Sequence, residues 1–303
     1  MKTITILTPT YNREGLLTKL YHSLCEQTSQ DFCWMVVDDG SQDQTAALVQ
    51  QMIAEQRVDI RLLTKPNGGK HTALNKGIAQ IETELTFIVD SDDALPQDAV
   101  ETILDYHGKY KPEREKYSLC GYSFLRFYSN GEVNTAFFPK EEEIDTYLQV
   151  RINGGIGGDK AEVFYTDVLK EYPFPEYDGE KFLPEDIVWM QMSERYRMVH
   201  INRCVYISDY LEGGLTKSGR RMKLRSPKGM VLRSEIYLNN KQVNYKVKVK
   251  MMLLYHIYGK AAGYSLRELM KRIRHKALFA VCLLPGRVLH HRWAHSFTSD
   301  VCS

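Results

Sequence analysis

Along the first 110 residues, short apolar runs alternate with segments whose apolar positions recur at helical spacing. "TITILT" (3–8) reads as a strand, and the stretch through "EGLLTKLYHSLCEQ" follows as a helix with Leu16, Leu17, Leu20 and Leu24 on one face. "FCWMVVDD" (32–39), "DIRLLT" and "LTFIVD" read as further strands. Helical patterns in "DQTAALVQQMIAEQ", "KHTALNKGIAQ" and "PQDAVETILDYHGKY" follow them in turn. Strands alternating with helices of this length predict βαβ units and a parallel sheet. The strands are almost continuously apolar, as expected where both faces are covered.

Beyond residue 116 the pattern loosens. "YSLCGYSFLRFY" and "GEVNTAFF" predict two strands around a Ser-Asn-Gly turn, and a Gly-rich stretch lies at 153–164. A helix is predicted over "FLPEDIVWMQMSERY" (182–196), with Pro184 near its start and two acids in its first turn, where they suit the helix dipole. "MVHINRCVYIS" predicts a closing strand. Residues 212–229 lack apolar periodicity, carry six basic residues and read as a mobile basic loop, with helices after it. The expected organisation is an α/β domain over 1–210 and, over 211–303, the basic loop with a helical extension.

Each early strand ends in a polar cluster: "TPTYNR" (8–13), "DDGSQDQT" (38–45), "NGGKHTALN" (67–75) and "DSDD" (90–93). Asp, Asn, Gly and Ser are ordinary turn and helix-start residues, and Asp43 and Thr45 alone would suit a helix cap. In a parallel α/β sheet, however, ligands bind outside the carboxyl ends of the strands, so all four clusters are expected on one rim. Three close carboxylates at the end of an apolar strand, Asp90, Asp92 and Asp93, call for a cation.

Composition narrows the class. With 303 residues, 43% of them hydrophobic, the chain can bury a sizeable core, and its net charge of +2 says little about partners. The distribution says more, since eleven Lys or Arg and a single acid, Glu268, lie between Lys246 and Trp293. That segment interleaves basic with apolar residues, which suits either contact with an anionic membrane surface or packing on the preceding domain. Nucleic acid is not expected as a partner, because no recognised binding motif accompanies the charge. The six cysteines (Cys25, Cys33, Cys120, Cys204, Cys282 and Cys302) are dispersed, which favours reduced thiols in a cytoplasmic protein. No signal peptide or membrane-spanning run is evident.

In order and spacing, "TPTYNR", "VVDDGSQDQT", "NGGKHTALNKG", "VDSDD" and "PED" resemble the family 2 glycosyltransferases of bacterial polysaccharide and capsule assembly. The resemblance runs from Thr5 to about Ser208. It implies the GT-A fold, an α/β architecture with a Rossmann-like, mostly parallel sheet flanked by helices. It also implies a sugar-nucleotide donor, usually uridine-linked, a glycan or lipid-linked acceptor, and Mn²⁺ or Mg²⁺ as cofactor. Pro9, Thr10 and Tyr11 would line the uracil pocket, with Asp38 accepting from the base, Asp39 beside the ribose, and Arg13 at base or phosphate. Lys70, Asp90 and Ser91 would lie at the nucleotide. "DSD" matches the D-x-D motif, which assigns the metal to Asp92 with Asp90 or Asp93 and leaves the coordinating pair open. Asp186 of the E-D motif would be the general base of an inverting reaction. Asp159 and Glu185 would meet the sugars, and Arg220 and Arg221 would lie on a loop that closes over the donor. The implied location is the inner face of the plasma membrane.

Two other readings are weighed against this one. "MVVDDG" and "FIVDSDDALP" also resemble a phospho-accepting receiver domain, but a full βα unit precedes the acidic strand and Lys111-Pro112 comes too early. An inactive sugar-nucleotide-binding module is disfavoured because the metal and base positions are both filled.

Overall fold

The computed structural model describes residues 2–209 and 215–298. The chain divides into two compact units, Met1–Phe174 with Met192–Tyr210, and Pro175–Gln191 with Leu211–Ser303. The partition differs from a single cut after residue 210 in one segment, because 175–191 groups with the C-terminal helices.

The first unit is built on one eight-stranded sheet. In chain order its elements are β1 (Ile4–Thr10), α1 (Leu17–Cys25), β2 (Phe32–Asp38), α2 (Thr45–Ala54), β3 (Ile60–Thr64), α3 (Lys70–Ile78), β4 (Leu85–Ile88), α4 (Ala99–Tyr110), α5 (Arg114–Tyr117), β5 (Leu119–Phe127), β6 (Glu142–Asp145), β7 (Ala161–Tyr165), α6 (Thr166–Glu171) and β8 (Arg197–Ile207). The strand order is β3-β2-β1-β4-β7-β5-β8-β6. β3, β2, β1 and β4 are mutually parallel, β7 runs antiparallel to β4 and β5, and β5 pairs parallel with β8. The sheet is therefore mixed and mostly parallel, in line with the α/β expectation.

Every residue of β1 is buried, its three threonines included, as expected of a strand covered on both faces. α1 buries Leu17, Leu20, Tyr21 and Leu24, a stripe at i, i+3, i+4 and i+7. Tyr21 stacks on Trp34, whose indole N–H donates to Thr8 Oγ1 at 3.0 Å, so the large ring is buried with its polar atom satisfied. Gly121 sits at a register shift between β5 and β8 with φ +151°, and a Cβ there would lie 2.0 Å from the Val163 carbonyl oxygen. Only glycine permits that approach of β5 to β7.

Three local expectations are corrected. Residues 131–138 form no strand; a single bridge joins Val133 to Phe127, and "GEVNTAFF" alternates too poorly to hold a ladder. The missing edge strand is instead β6, and β7 emerges from "GDKAEVF", where the Gly-rich start hid a buried run. The helix predicted over 182–196 contracts to α7 (Asp186–Met192).

The second unit comprises α7, α8 (Leu215–Arg225), α9 (Pro227–Asn239), α10 (Tyr245–Ala261), α11 (Leu266–Arg272) and α12 (Lys276–Thr298). Helix α10 packs against both α9 and α12. It buries Met251, Met252, Tyr255 and Tyr258, while α12 buries Leu278, Phe279 and Cys282. The expected loop over 212–229 is corrected for its described part, which is α8 and the start of α9. Good helix formers such as Lys, Arg, Met and Leu override the lack of apolar periodicity there. The residues of that loop before 215 lie outside the described ones. Among the described residues no helix is long and apolar enough to cross a membrane.

Candidate active site

The carboxyl ends of the parallel strands share one rim, with Thr10, Asp38 and Thr64 as register neighbours. The loops after β1 and β2 are knitted together there. Asn12, in the left-handed region, donates its N–H to Ser41 Oγ at 2.9 Å, and its side-chain oxygen accepts from Gln42 N–H at 2.8 Å. Arg13 N–H donates to Thr45 Oγ1 at 2.8 Å, so Thr45, the first residue of α2, ties the two loops together. Pro9 and Thr10 are buried at the end of β1, while Tyr11 stands 43% exposed at the rim. The Thr10 hydroxyl oxygen is buried without a hydrogen-bond partner among the described residues.

The two aspartates ending β2 differ in surroundings. Asp38 accepts from the Ser41 backbone N–H at 3.0 Å and from its hydroxyl. Asp39 takes four donors: Lys65 Nζ at 2.6 Å, Gly68 N–H at 2.9 Å, Gly69 N–H at 2.7 Å and Asn67 Nδ2 at 3.1 Å. Its carboxylate shapes the glycine loop leading into α3, a use that position beside a ribose did not suggest. Gly40 lets that loop close in, since a Cβ there would meet Asn67 N at 2.9 Å. Lys65, which also donates to Thr72 Oγ1 at 2.7 Å, was not singled out from sequence.

Lys70, the first residue of α3, places its ammonium 2.5 Å from Asp90 Oδ1. Burial would raise the Asp90 pKa, but Lys70, then Arg126 and Arg13, outweigh it and hold the group below its ordinary value. Asp93 behaves oppositely. Burial, then repulsion from Asp90, pushes it up to about 7, against the hydrogen bond from the Tyr206 hydroxyl at 2.7 Å. Tyr206 Oη also accepts the Asp90 N–H at 2.8 Å, and Arg126 lies 3.9 Å from Asp93. Ser91 is buried and Asp92 half-buried in the same turn. Arg126 and Tyr206 were missed from sequence; the one available signal was a lone arginine within the apolar run of β5.

Among the described residues, no three His, Cys, Asp or Glu side chains gather as a metal cage. The donors nonetheless suit a hard dication, which binds through one or two carboxylates plus substrate phosphates. Asp90 is held ionised but is paired with the ammonium of Lys70, so a dication bound there would displace that ammonium. Asp93 is engaged with Tyr206 and holds its proton more tightly, leaving Asp90 and Asp92 as the better donors.

Asp159 is exposed in the segment before β7. In the second unit, Glu185 and Asp186 are half-buried at the start of α7. Asp186 is bound by Arg233 and Tyr237 of α9, two residues that no sequence pattern singled out. Arg220 and Arg221 lie on α8, and Arg220 sits 5.3 Å from the ring centroid of Trp293.

Residues 5–148 match the model for Glycosyl transferase family 2. That segment, just under half of the chain, is where the likeness to the family lies. The chain is 32% identical over 106 residues to the teichoic acid poly(glycerol phosphate) polymerase of Staphylococcus epidermidis, covering 35% of this chain and 15% of that protein. It is likewise 32% identical over 103 residues to the poly(ribitol-phosphate) beta-N-acetylglucosaminyltransferase TarS of Staphylococcus aureus, covering 33% of this chain and 18% of that one. The match thus spans less than a fifth of these relatives' lengths. Among solved structures, S. aureus TarS 1-349 in complex with UDP-GlcNAc superposes with a TM-score of 0.64 at 20% identity, covering 98% of this chain and 92% of that one. The mannosyltransferase PcManGT from Pyrobaculum calidifontis, in complex with GDP-Man and Mn²⁺, gives 0.57 at 17% identity, covering 99% and 86%. The fold is the GT-A fold.

Proposed function

We propose that the protein is an inverting glycosyltransferase. It moves a sugar from a uridine-diphosphate donor to a hydroxyl of a glycan or lipid-linked acceptor in cell-surface polysaccharide assembly. The observation that carries this reading is the convergence of the Asp38, Lys70 and Asp90 clusters on one sheet rim within the segment that matches the family 2 model. The names of the relatives, a teichoic acid poly(glycerol phosphate) polymerase and a poly(ribitol-phosphate) beta-N-acetylglucosaminyltransferase, and a neighbour bound to UDP-GlcNAc support the substrate class.

In this reading Tyr11 offers its exposed ring to the base, over a pocket lined by Pro9 and Thr10, and Asp38 accepts from the base. The loop shaped by Asp39 fixes the start of α3 at the rim, and Lys70 and Arg13 supply positive charge to the phosphates. Asp90 and Asp92 would hold Mn²⁺ or Mg²⁺, which when bound supplies Lewis-acid charge to the departing diphosphate. Asp159 and Glu185 would meet sugar hydroxyls. Asp186 takes the proton of the acceptor hydroxyl as that oxygen attacks the anomeric carbon from the side opposite the leaving group. With a single displacement the anomeric configuration inverts.

The test is nucleotide release from a panel of sugar nucleotides with Mn²⁺ or Mg²⁺. Release confined to uridine donors and lost with chelator is expected; no metal-dependent release from any donor sinks the reading and leaves a binding module.

α12 supports a location at the membrane surface. It exposes Val281, Leu284 and Val288, 73%, 72% and 53% accessible, near Arg287 and Arg292. Basic residues near an anionic leaflet contribute about 1 kcal/mol each. Cosedimentation with anionic vesicles at low salt, lost at high salt, is the expected result; no binding at low salt removes the membrane from the proposal.

A further inference from the structure

Asp186 is gripped on both oxygens. Oδ1 accepts from Arg233 Nε at 2.8 Å, while Oδ2 accepts from Nε at 2.8 Å, from Nη2, and from the Tyr237 hydroxyl at 2.7 Å. The Asp186 and Arg233 side chains are 14% and 21% exposed. Arg233 and Tyr237 stand four residues apart on α9, so they share one helix face.

The start of α9 is itself anchored to the segment preceding α7. Buried Glu180 accepts the Lys228 N–H at 2.7 Å and the Gly229 N–H at 2.9 Å. Ser226 Oγ accepts from Phe182 N–H at 3.2 Å, and Gly229 is so close to Leu183 that a Cβ would lie 2.7 Å from Cδ1. A planar guanidinium on a helix fixed in this way sets the plane of the carboxylate. Nη2 and Tyr237 occupy the lone-pair directions of Oδ2. Among the described residues Oδ1 carries only the Nε contact, which leaves one of its lone-pair directions open.

We propose that Arg233 and Tyr237 are positioning residues that orient Asp186 so that Oδ1 is the atom receiving the acceptor's proton. This rests on the reading of Asp186 as general base. In the step, the acceptor O–H bond breaks with its proton going to Oδ1, and the freed electron pair forms the new bond to the anomeric carbon. The bond from that carbon to the diphosphate breaks, and the nucleotide leaves with the electron pair. The same grip keeps the base ionised. Burial alone would raise its pKa, but Arg233, then the Tyr237 hydrogen bond and the more distant Lys223, hold it below its ordinary value. The charged and titratable groups facing it within its unit are thus Arg233 and Tyr237 of α9 and Lys223 of α8, with Lys250 of α10 acting on Lys223.

The experiment pairs a direct titration with turnover on the full chain. Carbon-13 NMR of labelled aspartate carboxyls follows Asp186, assigned by its absence in Asp186→Asn. Tyr237→Phe is expected to raise its midpoint by about one pH unit, and Arg233→Gln by roughly two. Release of uridine diphosphate from UDP-N-acetylglucosamine with Mn²⁺, water serving as acceptor, is measured across the same pH range. Its acidic limb is expected to move with the carboxyl midpoint, with donor KM unchanged. An unmoved midpoint in both variants overturns the grip. If Arg233→Gln fails to fold, Tyr237→Phe alone decides. Asp186→Asn with near wild-type release sinks the base reading instead. Loss of release in Asp186→Asn, together with a midpoint that moves while the kcat limb does not, sinks the positioning role and leaves the base.

Discussion

Arg126 lays its guanidinium 3.9 Å from the ring centroid of Tyr206, and that tyrosine's hydroxyl bridges the Asp90 backbone to the Asp93 carboxyl. The pair comes from adjacent parallel strands, β5 and β8, in register at Arg126 and Tyr206. Two strands far from the acidic turn in sequence therefore hold it. A cation over an aromatic face is worth about 2 kcal/mol when desolvated, enough to keep the ring and its hydroxyl in place.

Tyr206→Phe keeps the ring under Arg126 but strips the bridge. The Asp90 N–H and the Asp93 carboxyl then lose a partner in a buried setting. The expected cost is about 1–3 kcal/mol in urea unfolding, with weaker uridine diphosphate binding in Mn²⁺. Unchanged stability would show that water replaces the hydroxyl at no cost.

Asp39→Asn leaves one acceptor oxygen for four donors and turns an amide N–H₂ toward two of them. Loss of charge-assisted bonds is expected to cost at least about 1.5 kcal/mol. Nucleotide affinity should fall tenfold or more as the 67–69 loop relaxes. Calorimetry with uridine diphosphate measures it; wild-type affinity would mean that the loop is not part of the nucleotide site.

Asp92→Ala removes a carboxylate from the acidic turn without touching the Tyr206 bridge. Binding of uridine diphosphate is expected to lose its dependence on Mn²⁺, while any metal-independent affinity remains. Titrations with and without the ion compare the two, and an unchanged metal increment takes Asp92 out of the site.

His200 gives a pH prediction. It is fully buried on β8, its Nε2 donates to the Asp145 carbonyl at 3.3 Å, and burial, then Arg151 and Lys160, push its pKa down to about 3. The folded protein therefore holds the ring neutral, whereas the unfolded chain protonates it near the ordinary 6.5. The unfolded state binds more protons between those values, so stability is lost as pH falls below 6.5. The loss is about 2 kcal/mol by pH 5. His200→Gln should flatten this part of the pH dependence relative to wild type in thermal melts. Parallel curves would mean that the ring is not the group responsible.

The alternation of strands and helices, the mostly parallel sheet and the acidic turn after β4 were legible in the sequence. Each follows from local periodicity or from neighbours a few residues apart. So was the shared rim, because parallel strands leave their carboxyl ends on one edge. The partners that tune those residues were not. Lys65 reaches Asp39 across 26 residues, Tyr206 reaches Asp93 across 113, and Arg233 reaches Asp186 across 47. In sequence, Arg126 reads as a charge in a strand and Arg233 as one more basic residue in a basic segment. Only burial beside an opposite charge distinguishes them, and burial is a property of the folded chain. The same limit governs β6 and β7, where pairing with β8, β4 and β5 imposes strand conformation on stretches whose own pattern is weak. Residue types and spacing determined which groups stand at the rim. Long-range packing decided their proton affinities, their orientation and which of them are already engaged, because in a low-dielectric interior each of those depends on the nearest charge or hydrogen bond.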